Sequence, residues 1–283
     1  MNYIFFGTPH NSAILLDRLI RANKPPIALV TNPDRPAGRK KTITPPETKR
    51  LVLESDLADK IKIFQPEKPA DIATDLAALS PDLFVVLAYG RILPPALLSI
   101  PRLGTVGVHP SLLPKYRGPS PIQSALLNND TETGVALYQM GPGLDDGPVL
   151  AVQKLPIEQM THEELSAALA NLAADMLIDL MPPLATGEAQ AIPQDESLAT
   201  FTKKFTTADA FIEPADLEVA LHGDAAKTKE LYGKIRAFNP EPGAWTTRNG
   251  KRMKILRARL NGDRLELQTI QYEGGIPEEV GSL

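Results

Sequence analysis

Side chains able to move a proton or hold a ligand are few in this chain, and the scarcity narrows its chemistry. Cysteine is absent, which removes disulfides, thiolate nucleophiles and cysteine-based zinc sites together. The histidines are His10, His109, His162 and His222. His162 falls in the first turn of an amphipathic stretch and His222 precedes a polar glycine turn, positions that suit surface roles. His109 differs: it closes the apolar run Val106-Gly107-Val108 and precedes the rigid turn Pro110-Ser111-Leu112-Leu113-Pro114. An imidazole there can act as a base or a donor near neutral pH. Asp145 lies in the glycine-rich stretch Gly141–Gly147, where a carboxylate can approach a ligand, although Asp-Gly pairs also make ordinary turns. A strand-end histidine with an orienting carboxylate is the arrangement that acyl transfer calls for. A third cluster, Arg35, Arg39, Lys40 and Lys41 against the single acid Asp34, is either a solvated loop or an arm that meets phosphate.

These groups need a scaffold, and the first hundred residues supply its pattern. Apolar runs at Tyr3–Phe6, Ile27–Val30 and Leu83–Leu87 alternate with helix-like stretches at Ser12–Arg21 and Thr48–Ala58, the βαβ order of a parallel sheet. Ligands of such sheets bind beyond the carboxyl ends of the strands, so Gly7-Thr8-Pro9 and Tyr89-Gly90 are expected to face one crevice. Gly7 lacks the other glycines of a dinucleotide fingerprint; it is either a tight turn or a ligand contact. Thr105–Val108 and Thr133–Gln139 add strands, with a helix at Ser120–Leu127 between them. Thr161 and Glu164 form a capping box ahead of Leu165, Leu169, Leu172, Met176 and Leu180 at helical spacing, and Pro182-Pro183 is expected to end that helix.

Length and charge divide the chain. Its 283 residues suit two domains, and 43% hydrophobic with 23% charged residues is the composition of a globular protein. We expect an α/β domain over residues 1–187, a polar linker over 188–205 and a β-rich domain over 206–283. The last has helix candidates at Glu213–His222 or Thr228–Ala237, and strands joined at Asn249-Gly250 and Asn261-Gly262. Net charge is −4, yet between Lys227 and Arg259 ten Lys or Arg face two acids, so this region is locally basic. Met1 runs directly into an apolar strand with no signal-peptide pattern, and no run approaches the roughly 18 apolar residues of a membrane span. The expectation is a cytoplasmic protein.

The stretch Gly107-Val108-His109-Pro110-Ser111-Leu112-Leu113-Pro114-Lys115-Tyr116-Arg117-Gly118, followed by Pro121-Ile122-Gln123 and Gly143-Leu144-Asp145, resembles the signature of the 10-formyltetrahydrofolate-dependent formyltransferases. The loop Pro33–Arg39 and Ile235-Arg236-Ala237-Phe238-Asn239-Pro240 are similar to the members that formylate initiator methionyl-tRNA. The resemblance implies a Rossmann-like domain holding folate, followed by a small OB-like β-barrel that helps hold tRNA. It makes His109 and Asp145 catalytic, with His109 donating to the formyl oxygen or taking the amine's proton and Asp145 fixing the ring's tautomer. It places folate against Ser111, Leu112, Leu113 and Pro114 and against Leu87, Ala88, Tyr89, Gly90, Ile92 and Leu93. It also brings Arg35, Arg39, Lys40 and Lys41 to the tRNA. The resemblance further implies 10-formyltetrahydrofolate as the formyl donor and no required metal, and we expect a monomer that does not engage a membrane.

Two positions depart from that family. It carries an asparagine, a donor to the formyl oxygen, where this chain has Gly107. Losing such a donor costs on the order of 10²–10³ in rate, and glycine is expected to leave room for water to replace it in part; Gly107→Asn discriminates, since a rise in turnover of about tenfold or more at level folate affinity means the missing donor was limiting, whereas two inert proteins favour a binding role. The β region is also shorter than is usual. Alternative readings are a sugar-nucleotide N-formyltransferase and a folate- or tRNA-binding homologue with little turnover.

Overall fold

A computed structural model describes residues 1–38 and 40–280. Contacts divide them into two units, each assembled from separated segments. Unit one comprises Met1–Arg117, Gly134–Lys154 and Ala167–Thr200; unit two comprises Gly118–Thr133, Leu155–Ser166 and the chain from Phe201 onward. Residues 188–200, expected as linker, therefore pack as part of unit one.

In chain order the strands that lie wholly or mostly in unit one are β1 (Tyr3–Gly7), β2 (Ala28–Val30), β3 (Arg35–Ala37), β4 (Thr42–Thr44), β5 (Lys62–Phe64), β6 (Leu83–Leu87), β7 (Thr105–His109), β8 (Glu132–Gln139) and β9 (Val149–Pro156). β3 and β4 pair as an exposed hairpin, and the other seven form one sheet in the order β5-β2-β1-β6-β7-β8-β9. Pairing from β5 to β7 is parallel, and β8 runs antiparallel to β7. β1 and β2 are buried at every residue, as parallel strands covered on both faces must be, which is why they read as unbroken apolar runs. Phe6 anchors that core, its ring 4.9 Å from Phe84 and 5.5 Å from Tyr89. Two strands of this sheet escaped the sequence reading, as did the β3–β4 hairpin in a segment expected as a loop: β5 is three residues long and β9 carries the polar run Gln153-Lys154 on an exposed stretch.

The helices are α1 (His10–Arg21), α2 (Glu47–Leu53), α3 (Ala73–Ala78), α4 (Pro95–Leu98), α5 (Pro121–Leu127), α6 (His162–Thr186), α7 (Pro214–Leu221) and α8 (Ala225–Phe238). α6 begins on the expected capping box: the Glu164 N–H donates to Thr161 Oγ1 at 3.3 Å, and the Thr161 N–H donates to Glu164 Oε2 at 2.8 Å. It does not stop at Pro182-Pro183 but runs on to Thr186. Proline lacks an N–H and crowds the preceding turn, yet its own φ is helical and its carbonyl still accepts. The stop falls instead at Gly187, whose φ of 79° leaves the helix, with Glu188 and Ala189 donating to Pro183 O. By length and composition α6 could cross a membrane, contrary to expectation, but half of its apolar window is buried within the protein.

Unit two is built on an antiparallel meander of β10 (Trp245–Arg248), β11 (Lys251–Asn261), β12 (Arg264–Tyr272) and β13 (Glu278–Glu279). The β10–β11 turn takes positive φ at both Asn249 (53°) and Gly250 (73°), the geometry an Asn-Gly hairpin favours. Both candidate helices form, as α7 and α8, and Leu231, Ile235 and Phe238 of α8 pack on Met253, Ile255, Leu265 and Ile270. The small β unit expected as a barrel thus takes the form of a four-stranded sheet with helices on it.

Hydrogen bonding from Thr161 holds the Glu164 carboxyl below its usual pKa. Stability from that group is complete above the unfolded carboxylate value and is lost as pH falls through the lower folded one. Thr161→Ala is expected to cost about 1 kcal/mol at pH 7 and less near pH 4, where the unfolded carboxyl begins to titrate; urea denaturation at the two pH values measures both.

Candidate active site

The carboxyl ends of β1, β2 and β6 are stitched to one another by side chains from the turns that follow. Ser12 Oγ donates to Leu87 O at 2.7 Å, and Asn32 Nδ2 donates to Tyr89 O at 3.1 Å. Gly7 is there for close packing, since a Cβ would lie 2.7 Å from both Phe5 Cε1 and Ser12 Cβ; of its two readings, the tight turn is the one this packing explains. β7, next in the sheet, ends on His109, which is 5% exposed.

The orientation of that ring is set by its own loop. His109 Nε2 lies 2.8 Å from Tyr116 O, and because a carbonyl oxygen only accepts, Nε2 carries the proton. Nδ1 then presents a lone pair, and the group facing it is Asp145 Oδ2 at 3.6 Å. The tautomer is therefore fixed by Tyr116 rather than by Asp145 as expected, the carboxylate being too far from the ring to bond it. Burial pushes the His109 pKa down, with the Asp145 charge and the Tyr116 bond opposing, so the neutral ring is favoured near neutral pH. The lone pair of the neutral ring thus faces the carboxylate at 3.6 Å.

Asp145 has its own fixings. Its φ of 51° is in the left-handed region, as are those of Ala88 (47°) and Tyr116 (63°) in the two other loops at this edge; non-glycine residues so held cost free energy and concentrate at functional sites. Gln194 Nε2 donates to Asp145 O at 2.9 Å and Gly147 O at 2.7 Å. Gln194 Oε1 accepts from Arg117 Nε and Nη2, and Arg117 reaches on to both oxygens of Glu196. Arg117 is buried, and its pKa is raised chiefly by the Glu196 hydrogen bonds. Thr200 pins the other loop, with Tyr116 N–H donating to Thr200 Oγ1 and Arg117 N–H to Thr200 O, each at 2.8 Å. None of Gln194, Glu196 and Thr200 was foreseen, because their segment has no periodicity from which to read them.

Gly107 does not leave room for water. It pairs with Tyr138 across β7 and β8, and a Cβ at 107 would lie 2.4 Å from Tyr138 Cε1 and 2.6 Å from Cζ. The room expected at Gly107 is taken by the Tyr138 ring. Tyr138 itself was unmarked in the sequence, being an interior strand residue; its hydroxyl donates to Asp145 Oδ1 at 2.6 Å.

The remaining expected residues separate by place. Ser111 is wholly buried and closes the turn after His109, donating from N–H to His109 O and from Oγ to Lys115 O. Leu113 packs with Tyr138, and Leu112 and Pro114 are half-buried. Along Leu87–Leu93, the side chains of Tyr89 and Leu93 are spent in the core around Phe6, whereas Ile92 is 90% exposed. Arg35 begins the β3–β4 hairpin and pairs with Glu67 at 2.7 Å, Lys40 and Lys41 are exposed at its tip, and Arg39 lies outside the described residues. His162, expected on the surface, is half-buried, and desolvation lowers its pKa. A cavity of about 440 Å³ lined by Met1, Tyr3, Lys24, Met181 and Pro182 lies at the amino end of β1, away from this edge of the sheet.

Comparison with known proteins decides the family. The family model described as "Formyl transferase" matches residues 1–181, and that described as "Formyl transferase, C-terminal domain" matches residues 224–278. The chain belongs to the formyl transferase family. This formyl transferase is 40% identical over 262 residues to the methionyl-tRNA formyltransferase of Dictyoglomus thermophilum, covering 91% of the chain and 79% of the relative. It is 41% identical over 263 residues to that of Methylococcus capsulatus, covering 92% and 81%. Its fold is similar to the structure of methionyl-tRNA formyltransferase from Clostridium thermocellum, with a TM-score of 0.64 at 16% identity over 97% of this chain and all of that one.

Gly107→Asn is expected to destabilise the formyl transferase by about 1–3 kcal/mol through overpacking. Shortening the opposing ring in Gly107→Asn with Tyr138→Leu should recover most of that loss, as paired denaturation curves will show.

Proposed function

We propose that this enzyme transfers the formyl group of 10-formyltetrahydrofolate to the α-amine of initiator methionyl-tRNA. Relatives named methionyl-tRNA formyltransferase, matched over 79% and 81% of their length, support the substrates. The buried His109 ring, held by Tyr116 O with Nδ1 3.6 Å from Asp145 Oδ2, is the observation that carries the chemistry, because a free imidazole lone pair beside a carboxylate is suited to take the proton of an attacking amine. When bound, the folate supplies an activated formyl carbon. The ring of a reduced pterin presents an edge of polar groups and apolar faces. The main chain of Leu87–Gly90, turned by Ala88 and Gly90 at positive φ, and the exposed Ile92 suit these in kind. Ser111–Pro114 form the other wall of this proposed folate site.

In this reading His109, neutral and held by Tyr116 O, accepts at Nδ1 the proton that the attacking amine must shed. Asp145 stabilises the resulting imidazolium, and the buried ring beside a half-buried carboxylate makes that attraction stronger than it would be in water. The β3–β4 hairpin with Arg35, Arg39, Lys40 and Lys41, and the exposed cations Arg248, Lys251 and Arg257 of the small β unit, meet tRNA phosphates. Such contacts would explain a basic unit within an acidic chain, which a sugar-nucleotide acceptor leaves without a role. We propose further that the enzyme is a monomer, acting in the cytoplasm away from membranes.

Incubation with 10-formyltetrahydrofolate and charged initiator tRNA should yield formyl-methionyl-tRNA, with His109→Gln lowering kcat by about 10²–10⁴. No product above that variant, with methionyl-tRNA or with an amino-sugar nucleotide in its place, would leave only a binding role. Because the neutral ring is the active form, kcat should rise with pH through the depressed His109 pKa. In Asp145→Asn the rise should move to still lower pH, since the charge that favours the imidazolium is gone, and the plateau should drop. Replacing Lys40 and Lys41 together by Ala should raise KM for the tRNA and leave that for folate within twofold; equal increases would refute the division.

A further inference from the structure

Tyr138 is a phenol that nothing in the family reading uses, and it stands where that reading finds a gap. Its ring lies over Gly107, with ring atoms Cε1 and Cζ 2.4 and 2.6 Å from where any side chain at 107 would begin. It meets His109 edge-on, centroids 6.4 Å apart and planes at 88°. Its hydroxyl gives a 2.6 Å hydrogen bond to Asp145 Oδ1, leaving Oδ2 as the oxygen turned toward His109 Nδ1. Leu113 and Ala136 wall the ring in, with Met140 and Val149 against them. One phenol thus fills the space of the missing side chain and holds the carboxylate that faces the histidine.

We propose that Tyr138 is a positioning residue of the active site, acting on His109 through Asp145, and that Gly107 is the empty position its ring requires. The inference rests on the formyl-transfer reading for its consequence but on the geometry alone for its coupling. Burial, with the neighbouring Asp145 charge, drives the phenol pKa far above its ordinary value, so the hydroxyl remains a donor at every pH at which the enzyme works. A neutral, immobile donor suits this task. It fixes which oxygen faces the ring without adding a charge that would compete with the imidazolium. The hydrogen bond to a carboxylate is of the stronger, charge-assisted kind, and the left-handed φ of Asp145 means that its backbone alone does not place it cheaply.

Tyr138→Phe tests this, because the ring that covers Gly107 is kept and only the hydroxyl is lost. Two measurements are made on the full chain: formylation kinetics across pH, and titration of the His109 imidazole by NMR, assigned with His109→Gln. The expected results are a fall in kcat of at least tenfold with KM for both substrates within threefold, and a shift of the His109 titration to lower pH as Asp145 loosens. An unchanged kcat, or an unmoved titration, overturns the proposal; a fall in kcat without the shift would mark the tyrosine as packing only. Thermal unfolding within a few degrees of the parent certifies the fold. If it is lost, Gly107→Ala serves as the second variant: it tilts the ring off Asp145 without deleting it, and the same shift is expected, with its absence counting against the coupling. Should the parent form no formyl-methionyl-tRNA, the formyl-transfer reading fails while the titration still decides whether Tyr138 acts on His109 through Asp145.

Discussion

The carbonyl of Tyr116 decides what His109 can do. By accepting from Nε2 at 2.8 Å it leaves the ring with one free lone pair, and that lone pair points at a carboxylate. Much of the rest of the candidate site serves this one bond and its opposite face. Tyr116 presents its carbonyl from a left-handed residue whose N–H is held by Thr200. Asp145 is held on its backbone by Gln194 and on its side chain by Tyr138. A histidine with both nitrogens open would be an indifferent donor or acceptor; with one committed it has a single role.

The support is concentrated in a segment that looks like connecting chain. Thr200 braces the loop after β7, and Gln194 braces the loop after β8. Arg117 links Gln194 to Glu196, so the two loops share one network of hydrogen bonds. Polar networks at buried positions are costly when incomplete and rigid when satisfied. Here the guanidinium is buried and both oxygens of its carboxylate partner Glu196 accept from it. The geometry of the site is in this sense carried by main-chain carbonyls and the side chains that hold them.

The sequence made some of this legible and hid the rest for physical reasons. Buried parallel strands advertise themselves as apolar runs, so the sheet around β1 and β6 and the strand-end position of His109 could be read directly. A capping box is a local signal, and Thr161 with Glu164 was legible for that reason. Pro182-Pro183 misled, because proline forbids a helical N–H but not helical φ. Asp145 was legible as a member of a glycine-rich loop beside a strand-end histidine, although what holds it was not. Gln194 and Thr200 sit in aperiodic chain and act through contacts far away in sequence. Gly107 stood out as a departure, but its meaning depended on the β7–β8 register, and an antiparallel pairing reached through an intervening segment cannot be read from residue spacing. Arg39 remains a reading of the sequence alone.

The tight fit of Gly107 beneath the Tyr138 ring also has a historical side. Substitutions at the two positions are not independent steps. A side chain at 107 overpacks against the tyrosine ring, so a lineage that passes between a glycine and an amide here does so at least cost by shrinking residue 138 first on the way in and enlarging it last on the way out. Sterics bias the order of mutation, and intermediate sequences with a small residue at both positions would carry a void next to His109. Sequences that retain the tyrosine are thereby biased toward glycine at 107.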